Sequence, residues 1–173
     1  MSNYAKAVRK FGYWFGDGVY RGSSINPNNG VIHTTEGTSL PTYGGGSSAP
    51  QYTAVPNFAK KKLDWYAHFP DEQSGRALRN ESGGVETNTL NCIQVELVGT
   101  CDPGTSKRWG TTPHIFWPNA PEWALRELAD FIADMNKRHG IPIVGPSKGW
   151  VSYPESYGTS ARQRFTFREW TSF

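Results

Sequence analysis

Cysteine is scarce in this sequence, with only Cys92 and Cys101 among 173 residues. Two cysteines build no disulfide framework, and without a Cys-x-x-Cys pair no structural zinc is encoded locally. Long apolar runs are missing too. Nowhere do the roughly eighteen consecutive apolar residues of a membrane-spanning helix stand together. The opening stretch MSNYAKAVRKFGYWFG also lacks the continuous apolar segment of a signal peptide. These absences predict a protein made in the cytoplasm, with no membrane insertion and no exit route of its own. Charge of one sign is not concentrated either. Lys and Arg total 18 against 15 Asp and Glu, a net charge of +3. The one basic cluster, AKKKLD, is too short to track a phosphate backbone. Nucleic acid is therefore not the expected partner, whereas the mild positive balance suits an anionic polymer.

Aromatics are plentiful by contrast, with seven Trp, eight Tyr and nine Phe, as are Gly (19) and Pro (12). Such a chain buries a core and connects its elements by long irregular segments. Its length fits one domain spanning residues 1–173, and we expect a monomer.

In GVIHTTEG (residues 30–37) the β-branched Val31 and Ile32 sit between Gly30 and a small polar run, the pattern of a short buried strand ending in His33. Upstream, YAKAVRK reads as a helical turn or two. Downstream, TEGTSLPTYGGGSSAP is a soft loop of the kind that borders binding sites. QYTAVPNFA and LDWYAHFP read as strands with the Lys cluster in the turn between them, and RNESGGVETNT as a second loop.

CIQVELVG carries the clearest period-two pattern, with Ile93, Val95 and Leu97 facing one way and Gln94 and Glu96 the other. That places an acid mid-strand, on a face that is either solvated or lines a polar cleft. NAPEWALRELADFIADMNKRHG is the strongest helix. Asn119 and Glu122 form a capping box, Leu125, Leu128, Ile132 and Met135 share a face with Phe131, and Gly140 with Pro142 ends it. ARQRFTFREWTSF reads as the opening of another helix, Phe167 and Trp170 standing three apart.

Four histidines are available. His139 complements a helix C-terminus, His114 falls in a loop, and His68 reads as a packed strand residue. No His-x-x-x-His or Cys-His spacing certifies a metal site, so any such site must be assembled from distant segments. Nothing beside Cys92 would activate a thiolate, and no Gly-x-Ser-x-Gly elbow marks a serine hydrolase.

Taken in order, VIHTTEG, SAPQYTA, RALRNESGGVETN feeding IQVELVG, and the helix end RHGIPI resemble the zinc-dependent N-acetylmuramoyl-L-alanine amidases of the type 2 superfamily. The likeness covers most of the chain from about residue 25, and is nearest to the amidase domains of actinobacteriophage endolysins. Peptidoglycan recognition proteins, some of which bind without cutting, are also relatives of that superfamily. The resemblance implies a mixed central β-sheet flanked by helices on both faces, and a peptidoglycan substrate in the host cell wall, met after release from the cytoplasm. It implies Zn2+ as cofactor, His33 as the first zinc ligand and Glu96 as the catalytic acid/base for hydrolysis of the muramoyl–L-alanine amide.

Tyr43, Tyr52 and Trp65 are the aromatics expected to supply groove contacts, although aromatics in strands are more often core. In that family the second ligand is a histidine after the segment resembling FTFREWTSF, and the third lies in an Asp-Pro-Gly beyond it. Neither falls within these residues, so the expectation is a domain that is incomplete at its C-terminus. The alternative is a non-catalytic wall-binding remnant. The Asp-Pro-Gly at Asp102 follows the Glu96 strand directly and reads as a turn rather than a ligand.

Overall fold

The structure, a computed structural model, describes residues 3–77, 91–143 and 165–166, the last pair by their backbone alone. It is built on a mixed sheet of six strands in the order β1-β4-β3-β5-β2-β6. These are β1 (Ala7–Val8), β2 (Asn29–Thr34), β3 (Tyr52–Asn57), β4 (Lys62–Ala67), β5 (Cys92–Leu97) and β6 (Phe165–Thr166). β5 lies parallel between β2 and β3, β3 and β4 form an antiparallel hairpin, β1 runs parallel to β4, and β6 runs antiparallel to β2. Two helices follow β5, α1 (Pro103–Trp109) and α2 (Glu122–His139).

The strand alternation decides which face is core. Tyr52 and Ala54 of β3, Leu63, Trp65 and Ala67 of β4, and Ile93, Val95 and Leu97 of β5 are buried in one apolar cluster with Ala124, Leu128, Phe131, Ile132 and Met135 of α2. Trp65 stacks on Phe131 with ring centroids 4.5 Å apart, while Tyr4 meets both rings edge-on at 5.4 and 5.1 Å. Burying each large apolar side chain there contributes about 2 kcal/mol, so the α2 contact is the main source of stability on this face. The opposite face carries the 3-10 turn Tyr43–Gly46. A mixed sheet with helices, the expected α/β class, is thus observed, with α2 covering one face and the Tyr43–Gly46 turn lying on the other.

Several local expectations differ from the structure. YAKAVRK is not helical; Tyr4 is drawn into the aromatic cluster, and Ala7 and Val8 pair with Trp65 and Tyr66. The capping box at Asn119 does not form. Trp117–Asn119 close a 3-10 turn, and Pro121, held extended at φ −67° and ψ 148°, becomes the N-cap with no side-chain hydrogen bond. Ala124 is buried where Leu125 was expected to be, Leu125 being half-buried. Phe165 and Thr166 form a strand rather than a helix, pairing with Ile32 and Val31. Phe167 and Trp170, and the whole of the loop RNESGGVETNT, lie outside the described residues.

Gly140 ends α2 in the left-handed conformation as expected. The C-terminal end of α2 is also tied down electrostatically. Asp71, fully buried, receives hydrogen bonds from Tyr52 and from Arg138 and lies 2.7 Å from His139 Nε2.

Candidate active site on the polar face

β2 ends in the order Val31, Ile32, His33, Thr34, and β5 in Gln94, Val95, Glu96, Leu97. The parallel register sets Ile32 beside Val95 and His33 beside Glu96. Because neighbours in register share a face, His33 and Glu96 project together, away from α2. Thr53 of β3 is in register with Glu96 on the other side. A polar row Thr53, Glu96, His33 therefore crosses three strands near the carboxyl ends of the parallel pair, with about 5 Å between neighbouring strands. The carboxyl ends of parallel strands are where α/β sheets hold ligands.

This face is polar yet covered. Gln51, Thr53, His68, Gln94, Glu96 and His33 are all buried, Glu96 at 5% and His33 at 1% exposure. The solvated reading of the Glu96 face is therefore ruled out. Gln51 and Gln94 interlock, Gln51 Oε1 accepting from Gln94 N–H at 2.8 Å and the Gln94 carbonyl from Gln51 N–H at 3.1 Å.

His33 is fixed by the loop that follows it. Thr35 N–H donates to the Leu97 carbonyl at 3.0 Å, so the two strand ends stay joined past the ladder. Glu36, at a positive φ of 51°, accepts from Thr34 Oγ1 at 2.6 Å, from the Thr100 hydroxyl and from the Cys101 N–H at 3.2 Å. The acid of HTTEG thus clamps the end of β2 to the segment leaving β5, a positioning job that no spacing rule announced.

Of the three aromatics expected at the groove, only Tyr43 is on this face. Its hydroxyl lies 2.6 Å from Thr53 Oγ1. Burial, reinforced by the nearby Glu96 charge, pushes its phenol pKa up. Tyr52 and Trp65 are corrected to core residues. Both lie on the α2 side, since odd and even positions of a strand face opposite ways. The Tyr52 hydroxyl is taken up by Asp71, Asn3 and the Tyr4 N–H.

Sequence reasoning passed over Thr53 and left His68 as packing. His68 is packed, but with a defined hydrogen-bond pattern. Its Nε2 is 2.8 Å from Thr53 Oγ1, its Nδ1 is 2.7 Å from the Tyr13 carbonyl, and Phe15 stacks on the ring at 5.8 Å. Burial pushes its pKa down to about 4, so it is neutral at ordinary pH. The alternation of Gln51 and Thr53 with Tyr52 and Ala54 was the available signal that β3 extends the polar face.

The remaining candidates are placed away from this row. Asp102 opens a helix rather than a turn, its carboxylate accepting from Gly104 N–H at 3.0 Å and Thr105 N–H at 2.9 Å, with Pro103 in the first turn. His114 bonds Ser106 and the Thr112 carbonyl in a loop. His139 sits at the end of α2 against Asp71. Burial pushes the Cys92 thiol up to about 12 and the Cys101 thiol up to about 11, which removes either as an activated nucleophile.

A catalytic zinc takes three protein ligands and keeps one open position. Among the described residues no group of three or more His, Cys, Asp or Glu side chains is arranged to hold a metal ion. His33 and Glu96 by themselves do not make that set. No helix among the described residues is long and apolar enough to cross a membrane. The chain matches no protein-family model and no curated protein.

Proposed function

We propose that this chain is a peptidoglycan hydrolase domain that cleaves the amide between the lactyl group of N-acetylmuramic acid and the L-alanine of the stem peptide, as in phage endolysins acting on the host wall after release. The observation that carries this reading is the in-register pairing of His33 with Glu96 on adjacent parallel strands, buried on a polar face. Two residues far apart in sequence, singled out as metal ligand and acid/base, meet side by side. Such a meeting is not required by the fold, since an apolar pair would stabilise this position at lower desolvation cost.

The step assigned to these residues is a proton transfer. Glu96 takes a proton from the water whose oxygen attacks the amide carbonyl carbon. When the C–N bond breaks, it returns that proton to the departing alanine nitrogen; a carboxylic acid and a free amine result, and at neutral pH the acid's own proton passes on to the amine or to solvent. A positioned carboxyl of this kind contributes about 10²–10⁴-fold. Buried Tyr43 and Thr53 lie beside it and exclude bulk water from that corner.

A second reading is a wall-binding protein that holds peptidoglycan without cutting it. It is favoured by the lack of a three-donor group among the described residues. Zinc analysis of the purified chain after exhaustive dialysis separates the two. Near one zinc per chain, lost in His33→Ala, supports the hydrolase. Zinc-free protein that still binds purified cell walls supports the binder, and zinc retained in His33→Ala removes His33 as a ligand.

A further inference from the structure

The chain of contacts from Tyr43 to Tyr13 has a direction that can be worked out from one end. At that end His68 Nδ1 faces the Tyr13 carbonyl at 2.7 Å. A carbonyl only accepts, so Nδ1 must carry the hydrogen. The ring is fully buried and neutral, so Nε2 has no hydrogen and can only accept. Thr53, 2.8 Å away, therefore donates its hydroxyl hydrogen to His68. Having spent that hydrogen, Thr53 Oγ1 can only accept from Tyr43, whose hydroxyl is 2.6 Å away. The phenol hydrogen of Tyr43 is thus committed to Thr53, and what remains on its oxygen is lone pairs.

The backbone keeps the phenol in that place at some cost. Tyr43 itself lies at φ 55°, and Gly44, Gly45 and Gly46 follow at positive φ. A left-handed conformation at a non-glycine residue persists only where its surroundings over-determine it. Here they do so twice, through the Thr53 contact and through Gly46, where an added Cβ would stand 2.7 Å from the Phe15 ring that stacks on His68. Thr53 is also the residue in register with Glu96, so this device is built against the acid of the polar row.

We propose that Tyr43 is a specificity-determining residue whose phenolic oxygen, made an obligate acceptor by His68 acting through Thr53, receives a hydrogen bond from an amide N–H of a peptide substrate beside Glu96. The inference rests on the hydrolase or wall-binding reading for the nature of that peptide. It adds that the site selects for a hydrogen-bond donor, and it makes Thr53 and His68 positioning residues.

The test has two parts. Side-chain 15N spectra of His68 are expected to show the neutral ring protonated at Nδ1; a ring protonated at Nε2, or a doubly protonated ring at neutral pH, overturns the proposal. Binding is then compared by NMR titration for N-acetylmuramoyl-L-alanyl-D-isoglutamine and its depsipeptide counterpart, in which L-lactate replaces L-alanine and an ester oxygen replaces the N–H.

The wild-type chain is expected to bind the ester about tenfold more weakly. Thr53→Ser keeps that ratio, and Thr53→Val, which leaves the Tyr43 hydroxyl free to turn, brings it to within about threefold. Equal binding of amide and ester by the wild type overturns this inference and leaves the functional reading standing. Failure to bind either compound overturns the functional reading and the substrate named here with it. The 15N result and the Thr53→Ser ratio decide the matter even if Thr53→Val does not fold.

Discussion

His33 and Glu96 stand opposite one another in register on two parallel strands, both buried, on the face of the sheet turned away from α2. A buried imidazole beside a buried carboxyl is costly to build.

Trp65 belongs to the core and not to a groove. It stacks on Phe131 and is 1% exposed. Trp65→Ala should therefore destabilise the fold by about 3–5 kcal/mol, measured by urea unfolding. A stability change under about 1 kcal/mol, with weakened wall binding, would return Trp65 to the groove.

Arg138 is the counter-charge of a fully buried Asp71. Arg138→Leu leaves that carboxylate with His139 and the Tyr52 hydroxyl alone, and is expected to cost about 3 kcal/mol. Thermal unfolding checks this, and Arg138→Lys should recover only part of the loss, because Arg138 also reaches Asp134 through a second nitrogen at 2.6 Å.

Acid should unfold the chain in a window set by His68. Its pKa falls from 6.5 to about 4 through burial, so between those values the unfolded chain binds the proton and the folded chain does not. This contribution to stability is fully retained above pH 6.5 and is lost progressively as the pH drops toward 4. At about 1.4 kcal/mol per unit, the loss is on the order of 3 kcal/mol. Unfolding free energies at pH 7, 5.5 and 4.5 test the slope, which His68→Gln should flatten. An equal slope in the variant would place the acid sensitivity elsewhere.

Much of this organisation was legible in the sequence, and the failures have identifiable causes. The period-two run of CIQVELVG and the polar interruption at Glu96 survive intact in β5, because side-chain alternation is local. So does the Gly140 stop. What was not legible was set by partners from elsewhere. YAKAVRK has helical propensity, but Tyr4 finds Trp65 and Phe131, and tertiary packing overrides a weak local preference. The capping box at Asn119 was outcompeted by Pro118 and Pro121, whose fixed φ values dictate a 3-10 turn and an extended N-cap. At Asp102 one local signal serves two structures, since an Asp followed by Pro opens a helix, as here, as readily as it makes a turn. The contact chain from Tyr43 to Tyr13 joins residues of four separate segments, and no spacing rule reaches across them.

Gly46 offers a further check on the site. At φ 105°, with the Phe15 ring 2.7 Å from where a Cβ would stand, Gly46→Ala strains both backbone and packing. We expect a loss of about 2 kcal/mol, and displaced Phe15 and His68 ring resonances by NMR. Unchanged stability and spectra would mean that this turn is not what holds Tyr43 over Thr53.

The most direct measurement is the product released from purified peptidoglycan, compared between the wild-type chain and Glu96→Gln in zinc-containing buffer. Mass spectrometry of the soluble fraction is predicted to find free stem peptides with an L-alanine N-terminus for the wild type. At least about a hundredfold less is predicted for a Glu96→Gln chain that remains folded by circular dichroism. Equal release by the two proteins would contradict the role given to Glu96, and wild-type protein that leaves the muramoyl–alanine amide intact would contradict the hydrolase itself.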